Sequence, residues 1–206
     1  MSEIRLTKNE LRNQQHKLDQ LTRYLPTLQL KKAMLQLEVG QVQARIVQLT
    51  LQFDKLMASA REFSKLFSDS GAKELFEGMQ IKEVLSTFEN IAGVEIPVYE
   101  GVEFNSPSYS LIVAPFWWDS ALFSMRELIK KKKEIEFAQK KKAVLEEELR
   151  SVSIRVNLFE KILIPRTNRN IKKIKVFLGD QQLSAVATSK VAKQKMMKKA
   201  EEESMV

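Results

Sequence analysis

The sequence predicts a mainly α-helical chain: a long antiparallel two-helix left-handed coiled coil carrying a small central α+β knob of short helices and one β-hairpin. Three observations carry that expectation. Apolar residues recur in alternating steps of three and four along both ends of the chain. Glycine and proline number only eleven in 206 residues, and seven of them (Gly71, Gly78, Gly93, Pro97, Gly101, Pro107 and Pro115) fall in one central window. Charge divides at nearly the same place. Between Glu83 and Met125 there are six acids and no Lys or Arg, so the rest of a +8 chain carries +14.

The N-terminal arm, residues 1–67, reads as one coiled-coil helix. Its stripe runs Ile4, Thr7, Leu11, Gln14, Leu18, Leu21, Leu25, Leu28, Lys32, Leu35, Val39, Val42, Ile46, Leu49, Phe53, Leu56, Ala60, Phe63 and Phe67. Sixteen of these nineteen are apolar. A mean step of 3.5 held this long marks a helix–helix seam and, with it, a left-handed supercoil. Pro26 withholds a donor and should kink or restart the helix near Leu25. Leu30, Met34 and Leu37 lie off the seam and suggest a second contact, with another subunit or a third helix.

The C-terminal arm, residues 118–178, keeps the same rhythm through Leu145, Leu149, Val152, Val156, Phe159 and Leu163. Ile164, Ile171, Ile174 and Leu178 then continue it one residue out of phase, a slip that falls at Pro165. Gly179 is read as a helix stop, with 179–206 as a weakly helical or frayed tail. Between the arms, residues 68–117 form the knob. Val94, Ile96 and Val98 alternate with Glu95, Pro97 and Tyr99, and Tyr109, Leu111 and Val113 are read as a second period-two stretch. With Asn105-Ser106-Pro107-Ser108 as the turn, they read as the β-hairpin, and Pro97 confines its strand to an edge. Ala72 to Asn90 reads as one or two short amphipathic helices. Trp117-Trp118 are expected to pack the knob against the start of the C-terminal arm.

Composition excludes much chemistry. With no cysteine and one histidine, disulfides, thiolate catalysis and the usual zinc or non-haem iron spheres cannot be assembled. No phosphate-cradling glycine loop occurs. His16 sits off the seam and reads as a solvated side chain, and the central acids read as a solvated or partner-facing patch. No catalytic, cofactor or metal site is expected. The charged opening is unlike a secretory signal, and the longest apolar run, Leu111 to Trp118, is eight residues and contains Pro115. A soluble intracellular chain follows. From Lys161 to Lys199 there are eleven Lys/Arg against one acid, Asp180. That basic face reads as a solvated helix face or as a docking surface for an acidic protein cavity; a scaffold for anionic membranes or nucleic acid is the further alternative, although no aromatics interleave with the basic residues as base stacking requires.

In the C-terminal arm, Arg155-Val156-Asn157-Leu158-Phe159-Glu160-Lys161-Ile162-Leu163-Ile164-Pro165 resembles the R-V-N-x-x-E-x-x-x-I-P run of the D-subunit family of V/A-type rotary ATPases, in its bacterial form. Asn90-Ile91-Ala92-Gly93-Val94-Glu95-Ile96-Pro97-Val98 is similar to that family's N-I-x-G-V-x-x-P segment. Leu6-Thr7-Lys8, Lys17-Leu18 and Leu30-Lys31-Lys32 look like its opening. Departures are Leu6 in place of a proline, Gln14-Gln15-His16 in place of a leucine-lysine pair, and the tail after Gly179.

The resemblance implies a non-catalytic central-stalk rotor shaft, coupling ion translocation through a membrane ring to ATP synthesis or hydrolysis in a catalytic hexamer. Implied partners are the catalytic A and B subunits, the small F subunit and the funnel-shaped C/d-type subunit above the membrane ring. No nucleic acid and no direct membrane insertion are implied. The chain would work in the cytoplasm, peripheral to the inner face of the cell membrane. Partner contacts are expected at Arg155, Asn157, Glu160, Pro165, Arg166, Arg169, Lys172 and Lys173. The expected seam includes Leu18, Leu21, Val39, Val42, Ile46, Leu49, Leu149, Val152, Val156 and Phe159.

Overall fold

A computed structural model of the chain describes residues 4–63, 77–106 and 117–203. The elements in order are helix α1 (Lys8–Phe63), strands β1 (Ile81–Ile91) and β2 (Val94–Phe104), helix α2 (Trp118–Leu158), a π-helical turn (Phe159–Leu163) and helix α3 (Ile164–Glu203). They fall into two compact units, one of residues 31–152 and one of residues 1–30 with 153–206. Long helices and a small two-stranded sheet are the architecture that the heptads and the clustered turn formers predict.

Helix α1 begins where Thr7 can cap it: the Glu10 N–H donates to Thr7 Oγ1 at 3.2 Å, satisfying one of the orphan donors of the first turn. It continues through Pro26 without a break, so the expected restart near Leu25 is absent. Pro26 leaves the Thr22 carbonyl without its usual donor. The neighbouring threonine hydroxyls turn back onto the helix, Thr22 Oγ1 to the Leu18 carbonyl at 2.8 Å and Thr27 Oγ1 to the Tyr24 carbonyl at 2.7 Å.

In the 31–152 unit, α1 and α2 run antiparallel. Lys31 pairs with Glu148 and Arg45 with Glu134, each at 2.8 Å: fourteen residues forward on one helix is fourteen back on the other. Leu35, Val42, Leu49 and Ala60 of α1 and Leu122, Leu128, Leu145 and Val152 of α2 are buried. Each large side chain moved from water to full burial contributes about 1.5–3 kcal/mol, whereas each part-exposed ion pair contributes about 0–1 kcal/mol. The apolar seam therefore dominates. Trp118 is buried with Leu122, and Met79 and Trp117 pack against them.

The hairpin differs from the sequence expectation. Its strands are β1 and β2, paired antiparallel from Ile91↔Val94 to Ile81↔Phe104. Residues 81–90, read as helix, are strand, and Asn105 lies beyond the end of β2 rather than in the hairpin turn; the segment Tyr109 to Val113 lies outside the described residues. The reason is local. Ala92 and Gly93 take positive φ values of 53° and 79°, the backbone of a two-residue type I′ turn whose twist matches the strands. Asn90 Oδ1 accepts the Gly93 N–H at 2.9 Å. Val84, Phe88 and Ile91 imitate helical spacing, but the turn, together with valine, threonine and phenylalanine, decides for strand. Tyr99 meets Phe137 with ring centroids 5.8 Å apart, and the Arg126 guanidinium stands 5.1 Å from the Phe104 ring while donating to the Gly78 and Asn105 carbonyls. Eleven strand residues at about 3.3 Å rise span the same length as roughly twenty-two helical residues. Accordingly Phe104 sits at Arg126, while at the tip a Cβ added to Gly93 would stand 4.0 Å from Lys31 Nζ, whose partner is Glu148.

In the other unit, Leu21 of α1 and Val156, Thr167, Ile171 and Ile174 of the C-terminal arm are buried. The out-of-phase heptads have a concrete solution there. The Ile164 N–H donates to the Phe159 carbonyl five residues back, so the π turn inserts one residue and returns the apolar stripe to the seam. The stop expected at Gly179 is not made: α3 runs to Glu203. The Ala, Gln, Lys and Met that follow are good helix formers and outweigh a single interior glycine, which costs about 1 kcal/mol.

Candidate partner-binding surfaces

Basic side chains occur in two different settings. On α2, five of the seven lysines in 130–133 and 140–142 have a carboxylate within reach: Lys130–Glu127 at 2.7 Å, Lys131–Glu134 at 2.9 Å, Lys133–Glu136 at 2.7 Å, Lys141–Glu89 at 4.0 Å and Lys142–Glu146 at 3.4 Å. Lys140 instead stands 5.3 Å from the Phe137 ring centroid. Most of that lysine charge is thus neutralised internally. Burial raises the Glu134 carboxyl, but hydrogen bonds from Lys131 and Arg45 outweigh it and hold the group below its ordinary range. A hydrogen bond from Lys133 likewise lowers Glu136. Tyr99 is pushed up by burial and then by Glu134 and Glu127.

On α3 the setting is the opposite. Arg166, Arg169, Lys172 and Lys173 are exposed, and none pairs with a described carboxylate. At 3.6 residues per turn they and Pro165 share an arc of about 120°, turned away from buried Ile171 and Ile174. An unpaired cationic arc retains its field for a partner. Arg155 and Asn157 are also exposed but stand on either side of buried Val156, and exposed Glu160 lies within the π turn. These three do not join the α3 arc. Of the expected seam residues, Leu21, Val42, Leu49, Val152 and Val156 are buried, and Leu18, Val39, Ile46, Leu149 and Phe159 are half-buried.

Two further surfaces stand out. Met34 and Leu37 are 48% and 59% exposed; at 3.6 residues per turn Leu37 lies on the side of α1 opposite Leu35 and Val42 and Met34 on its flank. On the hairpin, β1 is exposed at nearly every position, with Phe88 74% exposed opposite Pro97. Phe88 escapes the sequence reading because its spacing to Val84 and Ile91 reads as helix; the Ala92-Gly93 step ahead of a valine-rich strand is the signal that could have found it. Among the described residues no group of three or more His, Cys, Asp or Glu could hold a metal ion. His16 is exposed, with Gln20 3.5 Å away. No helix among the described residues is long and apolar enough to cross a membrane.

Comparison with known proteins matches residues 10–194 to the family of ATP synthase D subunits. The chain is 43% identical over 201 residues to a V-type ATP synthase D subunit of Chlamydia trachomatis, covering 97% of this chain and 99% of the relative. It is 42% identical over 202 residues to the protein of the same name from Chlamydia felis, covering 98% and 97%. The corresponding protein of Borreliella burgdorferi is 39% identical over 199 residues, covering 97% and 98%.

Proposed function

This chain belongs to the family of ATP synthase D subunits, and from that premise we propose that it is the central rotor shaft of a V-type rotary ATPase. In this reading the chain performs no bond chemistry. It transmits torque between ion translocation at a membrane ring and ATP synthesis or hydrolysis in a hexamer of A and B subunits. It also binds the small F subunit and rests on the funnel-shaped C/d-type subunit, at the inner face of the cell membrane.

The observation that carries the reading is the combination of an apolar two-helix seam with an unpaired cationic arc on α3. A shaft must resist twisting, and interlocked side chains along a seam do so because cores are close-packed and yield only by discrete repacking. It must also turn within its bearing. Exposed ion pairs of about 0–1 kcal/mol each guide without locking, so cations at Arg166, Arg169, Lys172 and Lys173 suit a surface that exchanges partners at each step. Arg155, Asn157, Glu160 and Pro165 complete the proposed contact set. The Met34 and Leu37 face offers a more lasting apolar contact, suited to a subunit that turns with the shaft.

The test is reconstitution of the purified A, B and F subunits with wild-type chain or with Arg166, Arg169, Lys172 and Lys173 all replaced by Glu. Wild type should assemble and support rotation of a bead fixed to the hairpin during ATP hydrolysis; the reversed variant should assemble poorly and lose rotation. Rotation unaffected by the fourfold reversal would remove the arc from the bearing, and assembly that never requires the chain would overturn the shaft reading.

A further inference from the structure

We infer that a polar groove between the start of α1 and the first turns of α3 is a binding site for a small phosphate-class oxyanion. The groove lies wholly within the unit of residues 1–30 and 153–206 and has a volume of about 450 Å³. Three cations line it, Arg5, Lys17 and Arg166, against one carboxylate, Glu10. Glu10 is already engaged, accepting from Gln14 Nε2 at 2.8 Å. None of the three cations pairs with a described carboxylate. Asn170 Nδ2 donates to Gln14 Oε1 at 3.4 Å, and a carboxamide has a second N–H to offer a ligand.

Two linked features set the groove apart from the rest of the seam. The seam is apolar over most of its length, yet here Gln14, Thr167 and Asn170 interrupt it, and Thr167 is only 3% exposed. The Thr167 hydroxyl is satisfied within its own helix, donating to the Leu163 carbonyl at 2.8 Å, so the donors left for a ligand are those of Arg5, Lys17, Arg166 and Asn170. The second feature is the π turn. An unbroken three-four rhythm after Leu163 would carry position 166 into the seam. The inserted residue instead buries Thr167 and turns Arg166 out to the groove. Such turns concentrate at functional sites.

The ligand class follows from the donors. A guanidinium presents paired N–H groups that match an oxyanion bidentately, and an ammonium adds a mobile point charge. No aromatic lines the groove, so nothing stacks a base and recognition is confined to phosphate groups. The volume admits more than one of them.

Calorimetric titration of the full chain with pyrophosphate at low salt tests this and does not depend on the shaft reading. We expect one saturable site whose affinity falls steeply as salt is added. Lys17→Gln and Arg166→Gln should each weaken it by about five- to tenfold. Lys140→Gln, remote in sequence and in the other unit, should leave it unchanged, with circular dichroism confirming that every variant stays folded. Absence of saturation in the millimolar range, or equal weakening by Lys140→Gln, overturns the proposal.

Discussion

Leu35 and Leu37 are chemically identical, two residues apart on α1, and in opposite environments: Leu35 is 0% exposed and Leu37 59%. Truncating each to alanine separates what the seam contributes to the chain itself from what an outer face contributes to a partner. Leu35→Ala removes three buried carbons and leaves a cavity in a two-helix core with few neighbours able to collapse into it. The expected cost is about 2–5 kcal/mol. For a chain of this size a change of 1 kcal/mol moves the melting temperature by roughly 2–4 °C, so Leu35→Ala should melt about 4–20 °C lower. Leu37→Ala should stay within about 0.5 kcal/mol of wild type, as surface changes do. Thermal and urea melts followed by helical circular dichroism on the isolated chain give both values. The partner that covers the outer face should then bind Leu37→Ala more weakly than wild type, although the two chains are equally stable. Equal losses of stability in the isolated chain would refute the assignment of seam and outer face.

Gly93→Ala should destabilise the hairpin by about 1 kcal/mol, because φ is +79° there and a Cβ is strained in that region; amide exchange across Ile91 and Val94 reports it, and unchanged protection contradicts the turn assignment. The Glu134 carboxyl is held below its ordinary value, so its stabilisation is present above the unfolded-state pKa of 4.5 and is lost as pH falls through the lower folded value. Glu134→Gln should therefore flatten the fall in melting temperature below that pH, and Arg45→Gln should do so in part; an unaltered acid limb in both removes the network from the account. Deleting Ile162 should convert the π turn to regular helix and, by bringing the flanking heptads into step, leave the chain folded, whereas deleting Ile154 should shift Val152 and Val156 out of phase and lower the melting temperature. Identical behaviour of the two deletions would sink the insertion argument.

The two long helices and their seam were legible because a period of 3.5 is a property of the chain alone. Leu21, Val42 and Leu49 could be placed on one stripe, and Val152 and Val156 on another, without knowing what they face. The phase slip before Ile171 was legible as well, but not its resolution, since helix restart, kink and π turn all accommodate one extra residue. Lys130–Lys133 and Arg166–Lys173 look alike as strings. Glu127, Glu134 and Glu136 stand three residues from the lysines they pair with, a helical spacing already present in the sequence, and the fold adds Glu89 beside Lys141.

Which strand β2 pairs with was decided by a turn of two residues, Ala92 and Gly93, and by Tyr99 and Phe104 reaching Phe137 and Arg126 on α2. Periodicity is local and survives in the one-dimensional text. Pairing, burial of Thr167 and the meeting of Arg5, Lys17 and Arg166 are properties of distance, and a folded chain brings together groups that sequence spacing leaves some hundred and fifty residues apart.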